Sequence, residues 1–393
     1  MKDIYIKNLK INKIRHLENI SIHIGSDFKH LILTGPNGSG KTSVLKFLSE
    51  VIKKQQERFP DIRKPALIKK LGKNVEETQT ILSKIIREPG ESINITFSKE
   101  EIEVYKKCIF VFLPSKRYDI KESETFREMQ VSTDTRYLIE KALGEDYIDY
   151  MKYLHFYMHS TDAIEYTSEK INIKKWFNLV EKILKEIYHD EGLELSFAPE
   201  LWTFKIETKG RLPFTLNEMA DGHSAYFKLI MEIMVRFHFR LDKPFDPKVS
   251  GIVLIDEIDI HLHVEMQKDI LPLLTRVFPN IQFIVTTHSP FVISSSVDAT
   301  VFDLENKSYI ENSYLYSYQA VIEEHFDIGM YSKYITKRFN EYRDLYKKEH
   351  LTNDEKIIIT ELAEELMETP QASREIYFAI MEMENERKSR KTQ

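Results

Sequence analysis

The chain opens on two stretches in which polar and apolar residues alternate, "DIYIKNLKI" and "ENISIHI". Alternation with a period of two predicts half-buried antiparallel strands. The pattern then changes. "HLILTG" is short and continuously apolar, as in a strand buried on both faces, and it runs through "PNGSGK" into a helix, "TSVLKFLSEVIKKQQERF". Two later runs, "GIVLIDE" and "IQFIVTTHSP", repeat the continuous apolar pattern, with the helix "HVEMQKDILPLLTRVFP" between them. "HSAYFKLIMEIMVRFHFRL" reads as a helix with a broad apolar face. Buried strands alternating with helices predict an α/β fold whose parallel sheet is covered on both sides.

The remaining stretches fill in around that body. Residues from about Pro60 to Gly90 are helical and charged, and "SINITF" and "CIFVFL" are two further strands. Long, aromatic-rich helices are expected from Thr125 to His189. "LELSFAPELWTFKIETKGRLPFTLNEM" reads as strands turned at Pro199 and at Lys209–Gly210, and the chain from Tyr318 onward is helical and highly charged. The expected division is a split α/β domain over 1–60 and 191–305, a mainly helical insertion with some strands over 61–190, and a helical region over 306–393.

Composition narrows this picture. The 393 residues suffice for one large domain or two ordinary ones, and 42% hydrophobic residues can build a sizeable core. A net charge of -6 gives no global pull toward nucleic acid, although it leaves a local basic face open. The single cysteine, Cys108, excludes an intrachain disulfide or a cysteine zinc cluster and is expected as a buried strand residue. No apolar run approaches the roughly 18 residues of a membrane span. The N-terminus alternates like a strand and does not look like a signal peptide, so a cytoplasmic protein is expected.

Chemistry concentrates at the ends of the buried strands. "GPNGSGKT" comprises Gly35, Pro36, Asn37, Gly38, Ser39, Gly40, Lys41 and Thr42, with Ser43 following. It fits G-x-x-x-x-G-K-[ST] in full and stands between a buried strand and a helix. Glycines let such a loop wrap a phosphate, and its amides and the helix N-terminus point at the anion. Lys41 then reaches the β- and γ-phosphates of ATP and the Thr42 hydroxyl ligates Mg²⁺. "IVLIDE" delivers Asp256 and Glu257 to the same edge of the sheet, the first suited to Mg²⁺ and the second to polarising the attacking water. His288, ending the third buried strand, is placed to hydrogen-bond the γ-phosphate.

With these parts in place the chain resembles the ATP-binding-cassette ATPases of the SMC and RecF type. More narrowly, it looks like bacterial ATPases of the OLD and anti-phage-defence groups, such as those of Septu, retron and PARIS systems. The matching stretches are "LTGPNGSGKTSVLKFL", "IVLIDEIDIHLHVEMQ" and "IVTTHSPFVISS". The resemblance implies an ABC-type P-loop domain with an antiparallel β subdomain, a large helical insertion and a helical C-terminal tail. It implies an ATPase that holds ATP between two head-to-tail monomers, as a homodimer or higher homo-oligomer. Asp259 would belong to the loop crossing that interface, Arg15 could flank the adenine, and His261 and His263 are structural or interfacial.

The resemblance also calls for a signature L-S-x-G-[EQ] at a helix start upstream of the acidic strand. "MADGHS" fits the order, with Asp221, Gly222 and His223 meeting the partner's γ-phosphate, but Ala220 stands where serine is usual and His223 where Glu or Gln is usual. The family's glutamine loop has no clear counterpart; Gln79 lies in a helical context. The insertion lacks heptads for a long coiled coil. It carries a basic cluster (Lys53, Lys54, Arg58, Arg63, Lys64, Lys69, Lys70 and Lys73), with Lys116 and Arg117 ending a strand, and this leaves nucleic acid open as a partner against a solvated helical face. His155 and His159 are expected in helix packing. No set of acids for a TOPRIM nuclease follows the histidine loop, so an effector would be a separate polypeptide, a nuclease or toxin. By analogy with the family, the expected role is regulation of that effector in phage defence. The rivals are a RecF-like DNA-repair ATPase and an ATP-bound scaffold without turnover.

Overall fold

A computed structural model of the chain describes residues 4–58, 92–115, 147–159, 167–241, 249–326, 332–348, 351–367 and 376–383. In chain order the elements are β1 (Ile6–Ile14), β2 (Leu17–His23), β3 (His30–Thr34), α1 (Lys41–Arg58), β4 (Ser92–Phe97), α2 (Glu101–Lys107) and β5 (Ile109–Leu113). Next come α3 (Tyr147–His159), α4 (Thr167–Tyr188), β6 (Glu194–Ala198), β7 (Thr203–Glu207), β8 (Phe214–Thr215), α5 (Asp221–Leu241) and β9 (Gly251–Ile255). The last are α6 (Val264–Val277), β10 (Ile281–Thr286), α7 (Pro290–Ile293), β11 (Ala299–Asp303), β12 (Ser308–Tyr309), α8 (Tyr318–Phe326), α9 (Lys333–Tyr346) and α10 (Asn353–Met367). They fall into two compact units, Met1–Tyr318 and Gln319–Gln393.

The first unit is built on a six-stranded sheet of order β12-β11-β3-β10-β9-β5. Its strands run parallel except β12, which pairs antiparallel at the edge. Every residue of β3, β9 and β10 is buried, as continuous apolar runs require. The alternating stretches form the hairpin β1–β2, turned at Arg15–His16, and β4 pairs with the other edge of β1. The inward faces of both sheets share one core with α1, including Leu9, Ile11, Leu33, Val44, Leu48 and Leu254. Each such side chain contributes about 1.5–3 kcal/mol on burial.

Two strands from the stretch that the sequence assigns mainly to a helical lobe lie in these sheets. β5 pairs with β9 in parallel register, and β4 pairs with β1. The reason is physical: "IFVF" is apolar on both faces and needs cover on both sides, which the main sheet supplies. Cys108 is buried immediately before β5, where burial pushes its thiol far up from its ordinary value. A polar residue stitches the sheets together: fully buried Gln282 accepts from Ile6 N at 2.7 Å and donates from Nε2 to Ile6 O at 3.0 Å and Lys29 O at 2.7 Å.

Helices α3 and α4 stand with the small sheet β6-β7-β8. His155 stacks on Phe197 at 4.5 Å and lies 4.6 Å from the ring of His159, so this pair is engaged in packing. In the second unit α9 and α10 bury Tyr342, Ile359, Leu362 and Leu366 together. Arg338 Nε donates to Glu365 Oε2 at 2.9 Å across the pair, and Tyr334 donates to Glu365 Oε1 at 2.6 Å. No helix among the described residues is long and apolar enough to cross a membrane.

Candidate functional site

Parallel pairing places the C-terminal ends of β3, β10 and β9 side by side on one edge of the sheet. The Gly35–Thr42 loop leaves β3, and α1 begins at Lys41. Its first turn carries no acid to oppose an anion. Gly38 and Gly40 hold φ of +90° and +96°, a region that side-chain-bearing residues rarely enter. A Cβ on Gly40 would lie 2.8 Å from Leu17 Cδ1, so the β1–β2 turn seats directly on the loop. That turn carries exposed Arg15, with His16 beside it. Pro36, Asn37 and Gly38 are exposed, Ser43 is half-buried, and Ser39 Oγ is buried with no hydrogen-bond partner among the described residues. An orphaned hydroxyl inside a glycine cradle at a helix N-terminus fits a phosphate.

Lys41 is buried and bent back over the loop, donating from Nζ to Gly35 O at 2.7 Å and Pro36 O at 2.9 Å. Burial lowers its ammonium to about 8, against the opposing pull of Glu257, Asp256, Asp259 and Asp303. The loop and the acidic strand meet through one hydroxyl: Thr42 Oγ1 donates to Asp256 Oδ1 at 3.0 Å. An ionised carboxylate only accepts, so the Thr42 proton is committed to Asp256 and its lone pairs stay available to a cation. Thr42 and Asp256 therefore suit the hard oxygen coordination of Mg²⁺.

Asp256 is fully buried at the end of β9. Glu257 follows half-buried at φ +50°, a strained left-handed turn. Both are held by Thr286: its Oγ1 donates to Asp256 Oδ1 at 2.8 Å and accepts from Glu257 N at 2.7 Å. Asp259 is tied inward, its Oδ1 accepting from Thr287 Oγ1 at 2.5 Å. His288 is half-buried, and burial followed by the nearby Lys41 charge lowers its pKa, against a smaller opposing effect of Asp259. The imidazole is therefore neutral at pH 7 with one N–H to donate.

The hydroxyl residues around His288 escaped the sequence reading, although "TTHS" displays them. Ser289 Oγ caps α7 and also donates to Gln267 Oε1 at 2.7 Å, while Gln267 Nε2 donates to Leu262 O at 2.8 Å. Asp303 was missed as well. It is buried at the end of β11, and its Oδ1 would lie 3.2 Å from a Cβ on Gly35.

The "MADGHS" stretch occupies a different setting. Ala220 and Asp221 are exposed at the start of α5. Gly222 is buried where a Cβ would lie 2.7 Å from His263 Cδ2 and 3.1 Å from Met266 Sδ. His223 stacks on Tyr188 at 4.6 Å, and burial, then Arg211, His189 and His263, lower its pKa. His261 is exposed at φ +64°. Lys53 and Lys54 are exposed on α1. Arg63, Lys64, Lys69, Lys70, Lys73, Gln79, Lys116 and Arg117 lie outside the described residues.

Residues 130–294 match the family model described as "AAA domain, putative AbiEii toxin, Type IV TA system", which takes in Asp256, Glu257 and His288. The chain is 31% identical over 154 residues to the retron Ec83 probable ATPase of Escherichia coli, covering 37% of this chain and 28% of that protein. It is 24% identical over 324 residues to the Septu protein PtuA of Bacillus mycoides (strain KBAB4), covering 79% of this chain and 42% of that one. For the Septu protein PtuA of Bacillus thuringiensis the values are 23% identity, 74% of this chain and 73% of the relative. The matches thus span under half the length of the first two relatives. Among solved structures, the SMC head bound to the C-winged helix domain of ScpA aligns with 76% of this chain and 93% of its own, at 16% identity and a TM-score of 0.38. Over residues 130–294 the chain is similar to this AAA family, and it resembles the Septu PtuA proteins and the retron probable ATPases.

Proposed function

We propose that this chain binds Mg·ATP between two copies arranged head to tail, hydrolyses it, and serves as the regulatory ATPase of an anti-phage defence system with a separate effector, a nuclease. The observation that carries the catalytic part is the Thr42–Asp256–Thr286 bridge, which joins the phosphate loop to the acidic strand. The defence role is supported by similarity to Septu and retron proteins.

In this reading Lys41 leaves the loop carbonyls for the β- and γ-phosphates, and the loop amides take the remaining charge. Thr42 and Asp256 hold Mg²⁺, which would neutralise phosphate charge. Glu257 orients a water for in-line attack, and neutral His288 donates to the γ-phosphate. The start of α5, with exposed Asp221, buried Gly222 and half-buried His223, would meet that phosphate from the second copy. Arg15 flanks the adenine from above the loop, and Asp259 lies in the turn that faces the partner.

Lys41→Ala is expected to abolish ATP binding, measured by titration with a fluorescent ATP analogue; unchanged affinity overturns the phosphate-loop assignment. Glu257→Gln is expected to stop turnover and accumulate an ATP-bound dimer in light scattering; a strictly monomeric variant with ATP refutes the shared site. One observation favours a second reading, an ATP-held scaffold without turnover. Ala220 offers no hydroxyl ahead of α5, and the nearest one, on Ser224, is half-buried a turn later. Steady-state phosphate release by the wild-type chain separates the two.

A further inference from the structure

We infer that Thr286 is a positioning residue for hydrolysis, whose single hydroxyl sets both acids of the site. The inference rests on the ATPase reading above and goes beyond it by naming what holds Asp256 and Glu257 in place. It starts from strand order. β10 lies between β3, which carries the phosphate loop, and β9, which carries the acids. Among the described strands, β10 is therefore the one whose last residue is adjacent to both.

Thr286 is fully buried there. Its hydroxyl proton goes to Asp256 Oδ1 at 2.8 Å, since an ionised carboxylate only accepts. The same oxygen accepts the amide of Glu257 at 2.7 Å, and the Thr286 carbonyl accepts the amide of Ile258 at 3.0 Å. Two consecutive amides thus dock on one residue, and between them they fix the left-handed turn at Glu257, φ +50°. Asp256 Oδ1 is gripped twice, by Thr42 and by Thr286. The Thr42 grip belongs to the phosphate loop, and its oxygen would also serve a bound cation. The Thr286 grip belongs to the sheet and does not involve the phosphate loop. Thr286 therefore presets the carboxylate plane of Asp256 and the backbone that aims Glu257.

The test uses the full chain with Thr286→Val, which keeps the shape and removes the hydroxyl, and Thr286→Ser, which keeps the hydroxyl and removes the methyl. Turnover is measured against both ATP and Mg²⁺. Thr286→Val is expected to lower kcat about tenfold or more, to raise the Mg²⁺ needed for half-maximal turnover, and to leave the KM for ATP within about threefold. Thr286→Ser is expected to retain most of kcat. Should the valine variant fail to fold, Thr286→Ala against Thr286→Ser makes the same comparison, because these differ only in the hydroxyl. The inference is overturned if the hydroxyl-free variant keeps kcat within twofold, or if serine is impaired as much as valine or alanine. In both cases the wild-type chain still turns over. Absence of Mg²⁺-dependent turnover in the wild-type chain instead refutes the ATPase reading, and the role of Thr286 falls with it.

Discussion

In the proposed site the buried ammonium of Lys41 would make nucleotide affinity depend on pH near and above neutrality. In the free chain burial brings its pKa to about 8, from an ordinary 10.5. A phosphate docked on Nζ favours the charged form, so the pKa rises on binding and any chain that has lost this proton must take one up. The sign follows. Affinity is nearly complete a unit or more below pH 8, about half of that at pH 8, and falls with rising pH up to the bound pKa. With a pKa of about 8 the ammonium is about nine-tenths charged at pH 7 and about one-tenth at pH 9. The expected loss across those two units is about tenfold, or about 1.4 kcal/mol. Stability of the free chain moves the other way, because the unfolded lysine holds its proton up to 10.5 while the folded one has released it; the fold gains stability between about pH 8 and 10.5.

The assay is a binding titration of the wild-type chain with a fluorescent, non-hydrolysable ATP analogue from pH 6.5 to 9.5 at fixed ionic strength, so that turnover does not interfere and the Glu257 charge beside Lys41 is kept. Lys41→Arg is the control, since a guanidinium stays charged across the whole range and its profile should be flat. A flat wild-type profile between pH 7 and 9.5 would refute the reasoning, because it would mean that Lys41 keeps its proton in the free chain despite its burial. A wild-type slope shared by Lys41→Arg would refute it equally, by assigning the proton elsewhere.

Two further outcomes test the architecture that positions the site. Gln282→Leu removes one acceptor and two donor contacts to the backbone of Ile6 and Lys29 inside the core, and should cost about 1–3 kcal/mol in urea unfolding; an unchanged midpoint would mean that those backbone groups find other partners. Gly40→Ala forces a side chain into φ +96° and against Leu17, at a cost of about 1–2 kcal/mol concentrated in the loop. It should weaken ATP binding strongly while lowering the melting temperature only slightly, and retained affinity would show that the loop does not need this conformation.

Local pattern carried much of this protein. The mainly apolar runs that became β3, β9 and β10, the alternating hairpin, and the phosphate loop between strand and helix are all legible because burial and hydrogen bonding there are decided within a few residues. Pairing between distant strands is not decided that way. "SINITF" and "IFVF" are plain strands in sequence, yet nothing local says that one joins β1 and the other β9. Gln282 looks misplaced in an apolar run, because the backbone it serves lies 276 residues away at Ile6. The start of α5 was found by counting back from the acidic strand, but counting could not show that Gly222 is packed under His263 and Met266. That packing alone requires a glycine there, so the weight of a shared site falls on the exposed Ala220 and Asp221 beside it.

Strand order also explains an asymmetry in how the site is held. Three hydroxyl residues flank His288, and each reaches toward the acidic side: Thr286 to Asp256, Thr287 to Asp259, and Ser289 through Gln267 to the carbonyl of Leu262. These bonds join the histidine loop to the turn from Asp256 to Leu262. The phosphate loop is held differently. Thr42 ties it to Asp256, and Lys41 donates to the carbonyls of Gly35 and Pro36. In the proposed site, nucleotide entry would exchange the two lysine hydrogen bonds to carbonyls of its own loop for bonds to phosphate. The acids and the histidine, tied together through the ends of β9 and β10, match the division expected when charge-stabilising groups are preorganised and the binding loop adapts.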